Sequence, residues 1–173
     1  MKIRILSRPA MERLARAPLP QGTAVISIAD WGLESAQLDN SPEYLLQVAF
    51  DDVDNDIFAP EADALTDAQI RAAEKKYHML SREQAAQIAD FCLSVWDKAE
   101  QLICQCEHGQ SRSAAVAAAV LEYRARKGIT VFASDRYCPN KAVFRRVLEA
   151  LRERGGKEHR SSDAATSLTV MAK

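Results

Sequence analysis

The chain has 173 residues, 47 % of them hydrophobic and 27 % charged, a globular balance that excludes collagen-like, disulfide-scaffold and wholly disordered classes. That length suits one domain, able to take about 70 % of its unfolded surface out of water. Lys and Arg number 23 against 24 Asp and Glu, a formal net charge of -1, which supplies no global field for a nucleic acid or an anionic membrane, so any anion site has to be built locally.

The opening segment Lys2-Ile3-Arg4-Ile5-Leu6 alternates in the manner of an edge strand, and Pro9 suits the first turn of a short helix through Arg16. Charge and proline interrupt residues 1–20, which lack a secretory pattern; with four cysteines, Cys92, Cys104, Cys106 and Cys138, the expectation is a reducing, cytoplasmic setting. After Pro18, Pro20 and Gly22, the run Thr23-Ala24-Val25-Ile26-Ser27-Ile28 is short, β-branched and nearly all apolar, as expected of a strand covered on both faces. Tyr44, Leu46, Val48 and Phe50 recur with period two, and Leu45 and Ala49 are apolar on the other side, which predicts a second buried strand.

That strand ends in Asp51-Asp52-Val53-Asp54-Asn55-Asp56, too polar and turn-prone to continue a sheet. Thr66 with Gln69 and Ser81 with Gln84 have capping-box spacing and predict two helix starts. In the second helix, Ala85, Ile88, Cys92, Val95, Trp96 and Ala99 mark one face, expected against the sheet. Gln101 to Cys106 reads as a central strand, and residues from about Arg112 to Lys127 as an alanine-rich helix ending at Gly128. A last helix is expected from Lys141 to Arg154, with Val143, Phe144, Val147, Leu148 and Leu151 as its stripe and Gly155-Gly156 closing it. Residues 1–156 then form the domain, and residues 157–173, polar and without periodicity, a flexible tail. Strands interleaved with helices predict an α/β fold with a central, largely parallel sheet flanked by helices. The longest apolar run, Ala114 to Leu121, falls well short of the roughly 20 residues a bilayer requires, so no membrane partner is expected.

The informative segment is Cys106-Glu107-His108-Gly109-Gln110-Ser111-Arg112-Ser113, at the junction of a strand and a helix N-terminus. Successive backbone N–H groups in such a turn converge, and the helix adds about half a unit of positive charge, which together make a cradle for phosphate. The same donors stabilise a thiolate at its floor, so Cys106 can be a nucleophile at neutral pH. Arg112, six positions on, has the planar fork to grip two phosphoryl oxygens. Gly109 is free to adopt positive φ, and Ser113 can place a hydroxyl on the sulfur and help it depart in a second step.

This C-x5-R-S pattern on a strand, loop and helix resembles the signature of cysteine-dependent protein tyrosine phosphatases. The run Cys106-Glu107-x-Gly109-x-Ser111-Arg112-Ser113-Ala114 most resembles the compact dual-specificity branch, including small bacterial members. Phe50-Asp51-Asp52 after a strand, a helix before the nucleophile strand and Pro139-Asn140 ahead of the last helix extend the likeness over roughly residues 23 to 152. The resemblance implies a phosphotyrosine protein phosphatase-like fold and a phosphoryl transfer to Cys106, with Arg112 and residues 107–111 (Glu107, His108, Gly109, Gln110, Ser111) holding the phosphoryl group. It implies an aspartic acid that protonates the leaving oxygen: Asp52 first, because Val48, Phe50 and Asp52 keep the inward alternation, then Asp51, with Asp54 and Asp56 behind. It implies, too, that Asn140 buttresses the phosphate loop. Two positions depart from the pattern. Gln105 stands where a histidine usually precedes the nucleophile, and His108 where a small residue is common.

The implied activity is hydrolysis of phosphate monoesters, foremost phosphotyrosine in proteins with phosphoserine or phosphothreonine as further substrates, without a cofactor. Two rivals stand beside it: a phosphatase of a phosphoinositide or nucleotide, and a phosphopeptide-binding module without catalysis. The binder needs no nucleophile, and residues 107–111 contain none of the lysines that polyanionic substrates favour. Asp52-x-Asp54-x-Asp56 lacks the glycine and the twelfth-position Glu of a calcium loop, and His78, His108 and His159 form no zinc pattern, so no metal is expected. Cys104 and Cys138 read as ordinary thiols before they read as disulfide partners of Cys106.

Overall fold

Four strands, β1 (Lys2–Ser7), β2 (Thr23–Ala29), β3 (Tyr44–Ala49) and β4 (Gln101–Cys106), form one sheet in the order β1-β4-β2-β3, with every neighbouring pair parallel. The computed structural model describes residues 1–53, 68 and 76–167, with side chains to 156. Thr66, Gln69, Asp54 and Asp56 therefore lie outside the described residues, as does the side chain of His159. The helices are α1 (Arg8–Leu14), α2 (Arg82–Val95), α3 (Arg112–Ala125), the single turn α4 (Ile129–Phe132) and α5 (Lys141–Ser167). The architecture is a single α/β domain with a parallel sheet, as the interleaved pattern predicts. Among the described residues no helix is long and apolar enough to cross a membrane.

Parallel strands need crossovers, and here the crossovers cover the two sheet faces unequally. On one face Ala24, Ile26 and Ile28 of β2 and Leu102 and Cys104 of β4 pack with Ile88, Cys92 and Val95 of α2, Val116 and Val120 of α3, and Val147 and Leu151 of α5. The other face is thinner: Val25 and Ile103 meet Met11 and Ala15 at the end of α1. Each large aliphatic side chain buried this way contributes about 1.5–3 kcal/mol. α3 lies deepest, with every residue from Arg112 to Val120 buried. Its alanines let the backbone approach both the sheet and α5, which larger side chains would hold apart. Ser81 caps α2 as its sequence predicts: its hydroxyl accepts from Gln84 N at 3.1 Å, while Gln84 Oε1 accepts from Ser81 N at 3.0 Å.

Three local expectations are corrected. β3 is an edge strand, not a buried one: Leu45 and Gln47 are exposed, and Val48 alone of its residues is buried. A second apolar residue on an outward face carries no information about whether another layer covers it. α3 stops at Ala125, and the left-handed residue is Arg126 at φ 56°, whose N–H donates to the Glu122 carbonyl while Lys127 N reaches Leu121 O at 3.3 Å. Gly128 serves close approach instead, since a Cβ there would stand 2.7 Å from Ala118 O. Gly155-Gly156 does not close the last helix, whose backbone continues to Ser167. A glycine inside a helix costs about 1 kcal/mol but does not break it, and a Cβ on Gly155 would fall on the Tyr123 ring, so packing accounts for that residue.

Candidate active site

All four strands point the same way, so Ser7, Ala29, Ala49 and Cys106 end at one rim of the sheet. In open parallel sheets that carboxyl-end rim is where ligands bind. Cys106 closes β4 and is 2 % exposed. The chain then turns through residues 107–111 into α3, with Ser111 at the N-cap and Arg112 at the first helical position. Gly109 has φ 70°, and a Cβ on it would stand 2.5 Å from Ser7 N and 2.6 Å from Leu6 C. Only glycine fits this corner, because it must be left-handed and pressed against the end of β1.

The turn leaves its backbone donors unclaimed. Among the described residues no protein acceptor takes the N–H of Glu107, His108, Gly109, Gln110 or Ser111, while two carbonyls of the same run are used: Glu107 O accepts from Arg8 N at 3.1 Å and Gln110 O from Cys138 N at 3.0 Å. A row of donors facing no protein partner, at the start of a long helix, suits an anion. Ser113, fully buried, holds its Oγ 3.0 Å from Cys106 Sγ, close enough to donate to a thiolate.

Arg112, at the first position of α3, is 2 % exposed. Its guanidinium runs into the strand ends, where Nη1 donates to Phe50 O at 2.7 Å and Ala29 O at 3.2 Å, and Nη2 lies 2.5 Å from Asp30 Oδ1. Its Nε, 3.8 Å from Asp52 Oδ2, is the only buried side-chain nitrogen or oxygen among the described residues with no hydrogen-bond partner. An orphaned buried donor costs about 1–3 kcal/mol, a cost that an acceptor oxygen brought by a ligand would remove.

Asp51 and Asp52 part company at the end of β3. Asp52 Oδ1 accepts from Ser111 Oγ at 2.7 Å and from Asn140 Nδ2 at 3.0 Å, which sets its carboxylate across the loop. Asp51 turns away, accepting from Trp31 N at 3.3 Å and His78 N at 3.0 Å. Asn140, 3 % exposed, begins α5 by accepting from Val143 N at 3.0 Å, and its amide meets the loop region through Asp52. Cys106, Ser111, Arg112, Ser113, Asp52 and Asn140 are thus brought together.

Of the remaining loop residues, Glu107 pairs with Arg8 at 3.2 Å, while His108 and Gln110 are exposed. Gln105 lies on the opposite sheet face from Cys106 and accepts from Ser27 Oγ at 2.7 Å. All four cysteines are free thiols. Burial pushes Cys92 up to about 12 and raises Cys104 well above the ordinary thiol range. Sequence reasoning missed Asp30. Its only advance signal is a carboxylate at the end of an otherwise apolar parallel strand, the rim where functional groups collect.

Solved structures similar to this chain include Tk-PTP in its active form (20 % identity, covering 89 % of this chain and 93 % of that one, TM-score 0.49). They also include PTPMT1 in complex with PI(5)P (12 %, 91 % and 94 %, TM-score 0.49) and human DUSP28 (18 %, 90 % and 94 %, TM-score 0.44). No protein-family model and no curated protein matches the sequence.

Proposed function

We propose that the chain is a phosphatase that hydrolyses phosphate monoesters through a phosphocysteine on Cys106. One arrangement carries the reading. A buried thiol 3.0 Å from a serine hydroxyl directly precedes a turn whose five N–H groups no described residue accepts, and the helix that follows opens on a buried arginine whose Nε lacks an acceptor. These groups suit a tetrahedral dianion, and no bland role for a buried cysteine calls for them.

In the first step the Cys106 thiolate attacks phosphorus. The S–P bond forms as the P–O bond to the leaving group breaks, and Asp52 gives its proton to the departing oxygen. The loop N–H groups and Arg112 Nε carry the charge on the three equatorial oxygens. In the second step Asp52 takes a proton from water, the hydroxide oxygen displaces sulfur from phosphorus, and Ser113 donates to the thiolate that is released. Asp52 is favoured over Asp51 by its contacts with Ser111 and Asn140. Phosphotyrosine in proteins, with phosphoserine or phosphothreonine beside it, is the proposed substrate class, supported by the absence of lysine from residues 107–111.

The test is to quench the protein during turnover of an aryl phosphate without added metal and to map the phosphorylated residue. Phosphate on Cys106 supports the reading, and turnover with another residue modified refutes it. A panel of phosphotyrosyl, phosphoseryl and phosphothreonyl peptides, a phosphoinositide and a nucleotide then assigns the substrate. Preference for either of the last two overturns the protein substrate and keeps the chemistry. Peptide binding with no turnover identifies a phosphopeptide-binding module.

A further inference from the structure

Glu107 is a misfit in an anion site. It directly follows the nucleophile, and its carboxylate repels both a thiolate and an incoming dianion. Its partner comes from the other end of the chain. Arg8 opens α1 next to Ser7, the register partner of Cys106. Its backbone N–H holds the Glu107 carbonyl at 3.1 Å and its Nη1 meets Glu107 Oε2 at 3.2 Å. The same guanidinium reaches Glu12 Oε1 through Nε at 3.3 Å and donates to the Glu34 carbonyl through Nη2. Glu12 Oε1 in turn accepts from Gln37 N at 3.2 Å. One side chain thus joins the start of the phosphate loop, α1 and the segment that follows Asp30.

We infer that Arg8 is a positioning residue for the phosphate site, holding Glu107 and cancelling its charge so that the loop accepts a dianion. The inference rests on the phosphatase reading. An ion pair that water still reaches contributes little to stability. This pair is partly solvated, at 21 % and 33 % side-chain exposure, and acts on anion affinity instead.

The experiment compares the full-length protein with R8A, R8K, E107Q and R8A/E107Q. It measures kcat and KM for an aryl phosphate separately, orthovanadate inhibition, and melting temperature. R8A is expected to raise KM and the vanadate inhibition constant roughly tenfold with kcat within about twofold, because a negative charge is left unpaired beside the anion. E107Q is expected to tighten vanadate about threefold, and R8K and the double variant to return within about threefold of the parent. Equal losses in R8A and R8A/E107Q, or no change in R8A, overturn the inference, since a scaffold role predicts the first and a decorative ion pair the second. Should R8A fail to fold, E107Q and R8K decide by the same criteria. A parent protein that neither turns over aryl phosphate nor binds vanadate refutes the phosphatase reading itself, an outcome distinct from an active parent indifferent to R8A.

Discussion

Cys104 and Cys106 stand two residues apart on β4, project to the same face of the sheet and are both buried, at 0 % and 2 % exposure. Their surroundings differ. Cys104 sits within the strand, near Cys92 of α2, and desolvation, followed by the influence of the neighbouring thiols, holds its proton on. Cys106 sits where the strand ends, with the Ser113 hydroxyl at 3.0 Å, just ahead of a turn whose N–H groups no described protein acceptor takes. Burial alone silences a thiol; burial at the carboxyl end of a parallel strand, ahead of a helix, leaves donors that no regular ladder consumes. Two residues of advance along one strand convert an inert core side chain into a candidate nucleophile.

The harshest way to break this contrast is Cys106→Ser. Turnover of an aryl phosphate is expected to fall by at least about ten-thousandfold, as removal of a covalent nucleophile does elsewhere, while orthovanadate still binds, because the loop donors and Arg112 remain. Steady-state rates with an equilibrium titration check both halves. Retained turnover would return Cys106 to the same class as Cys104.

Next in size is the pair of carboxylates on the loop after β3. Asp52→Ala is expected to lower kcat about a hundredfold, the scale of a general acid, with the largest loss at the acidic end of the pH profile, where the acid carries its proton. Asp51→Ala is expected to act on stability and leave the profile shape intact, because its carboxylate bonds Trp31 N and His78 N and not the loop after Cys106. If Asp51→Ala reshapes the profile and Asp52→Ala does not, the two roles are exchanged. Smaller again is Asp30→Ala. With Nη2 of Arg112 released from its 2.5 Å contact, the guanidinium loses an ionic anchor, and kcat/KM should fall about thirtyfold, the worth of one hydrogen bond to a charged group. An unchanged kcat/KM would show that the Ala29 and Phe50 carbonyls hold Arg112 unaided.

How far these parts were legible follows from how local each signal is. The loop from Cys106 to Ser113 could be read because its signal lies in eight consecutive residues, a cysteine, a glycine, an arginine and two serines at fixed spacing between a strand and a helix. β2 could be read from its β-branched, apolar run and β1 and β3 from alternation, though not that β3 lies at the sheet edge, and the Ser81–Gln84 cap from its spacing. Asp52 is distinguished from Asp51 in the sequence by alternation alone, whereas its bonds to Ser111 and Asn140 come from distant parts of the chain. Asp30 and Arg8 could not be read, because each meets its partner across a long stretch of chain and a lone charged residue at a strand end looks like solvated surface. The glycines misled for a related reason. Gly128 and Gly155 suggested helix ends, whereas their need is room for Ala118 O and Tyr123, a demand set by neighbours that the local sequence does not contain.

The mildest effect concerns the silent side of the comparison. Cys92 is pushed up to about 12 from an ordinary value of 9.0, by burial first. The folded chain therefore keeps a proton that the unfolded chain gives up once the pH passes 9. The stabilisation from this group is complete below pH 9, declines as the pH rises above it, and is exhausted by about pH 12. Each buried thiol of this kind should lower unfolding free energy by about 1.4 kcal/mol per pH unit across that window. Urea midpoints measured between pH 9 and 10.5 on the parent and on Cys92→Val test it. The variant starts from its own baseline and should lose stability less steeply by the share of one thiol. Equal slopes would mean that Cys92 meets solvent in the folded chain, and the contrast with Cys106 would then have to rest on the Ser113 hydroxyl and the loop donors alone.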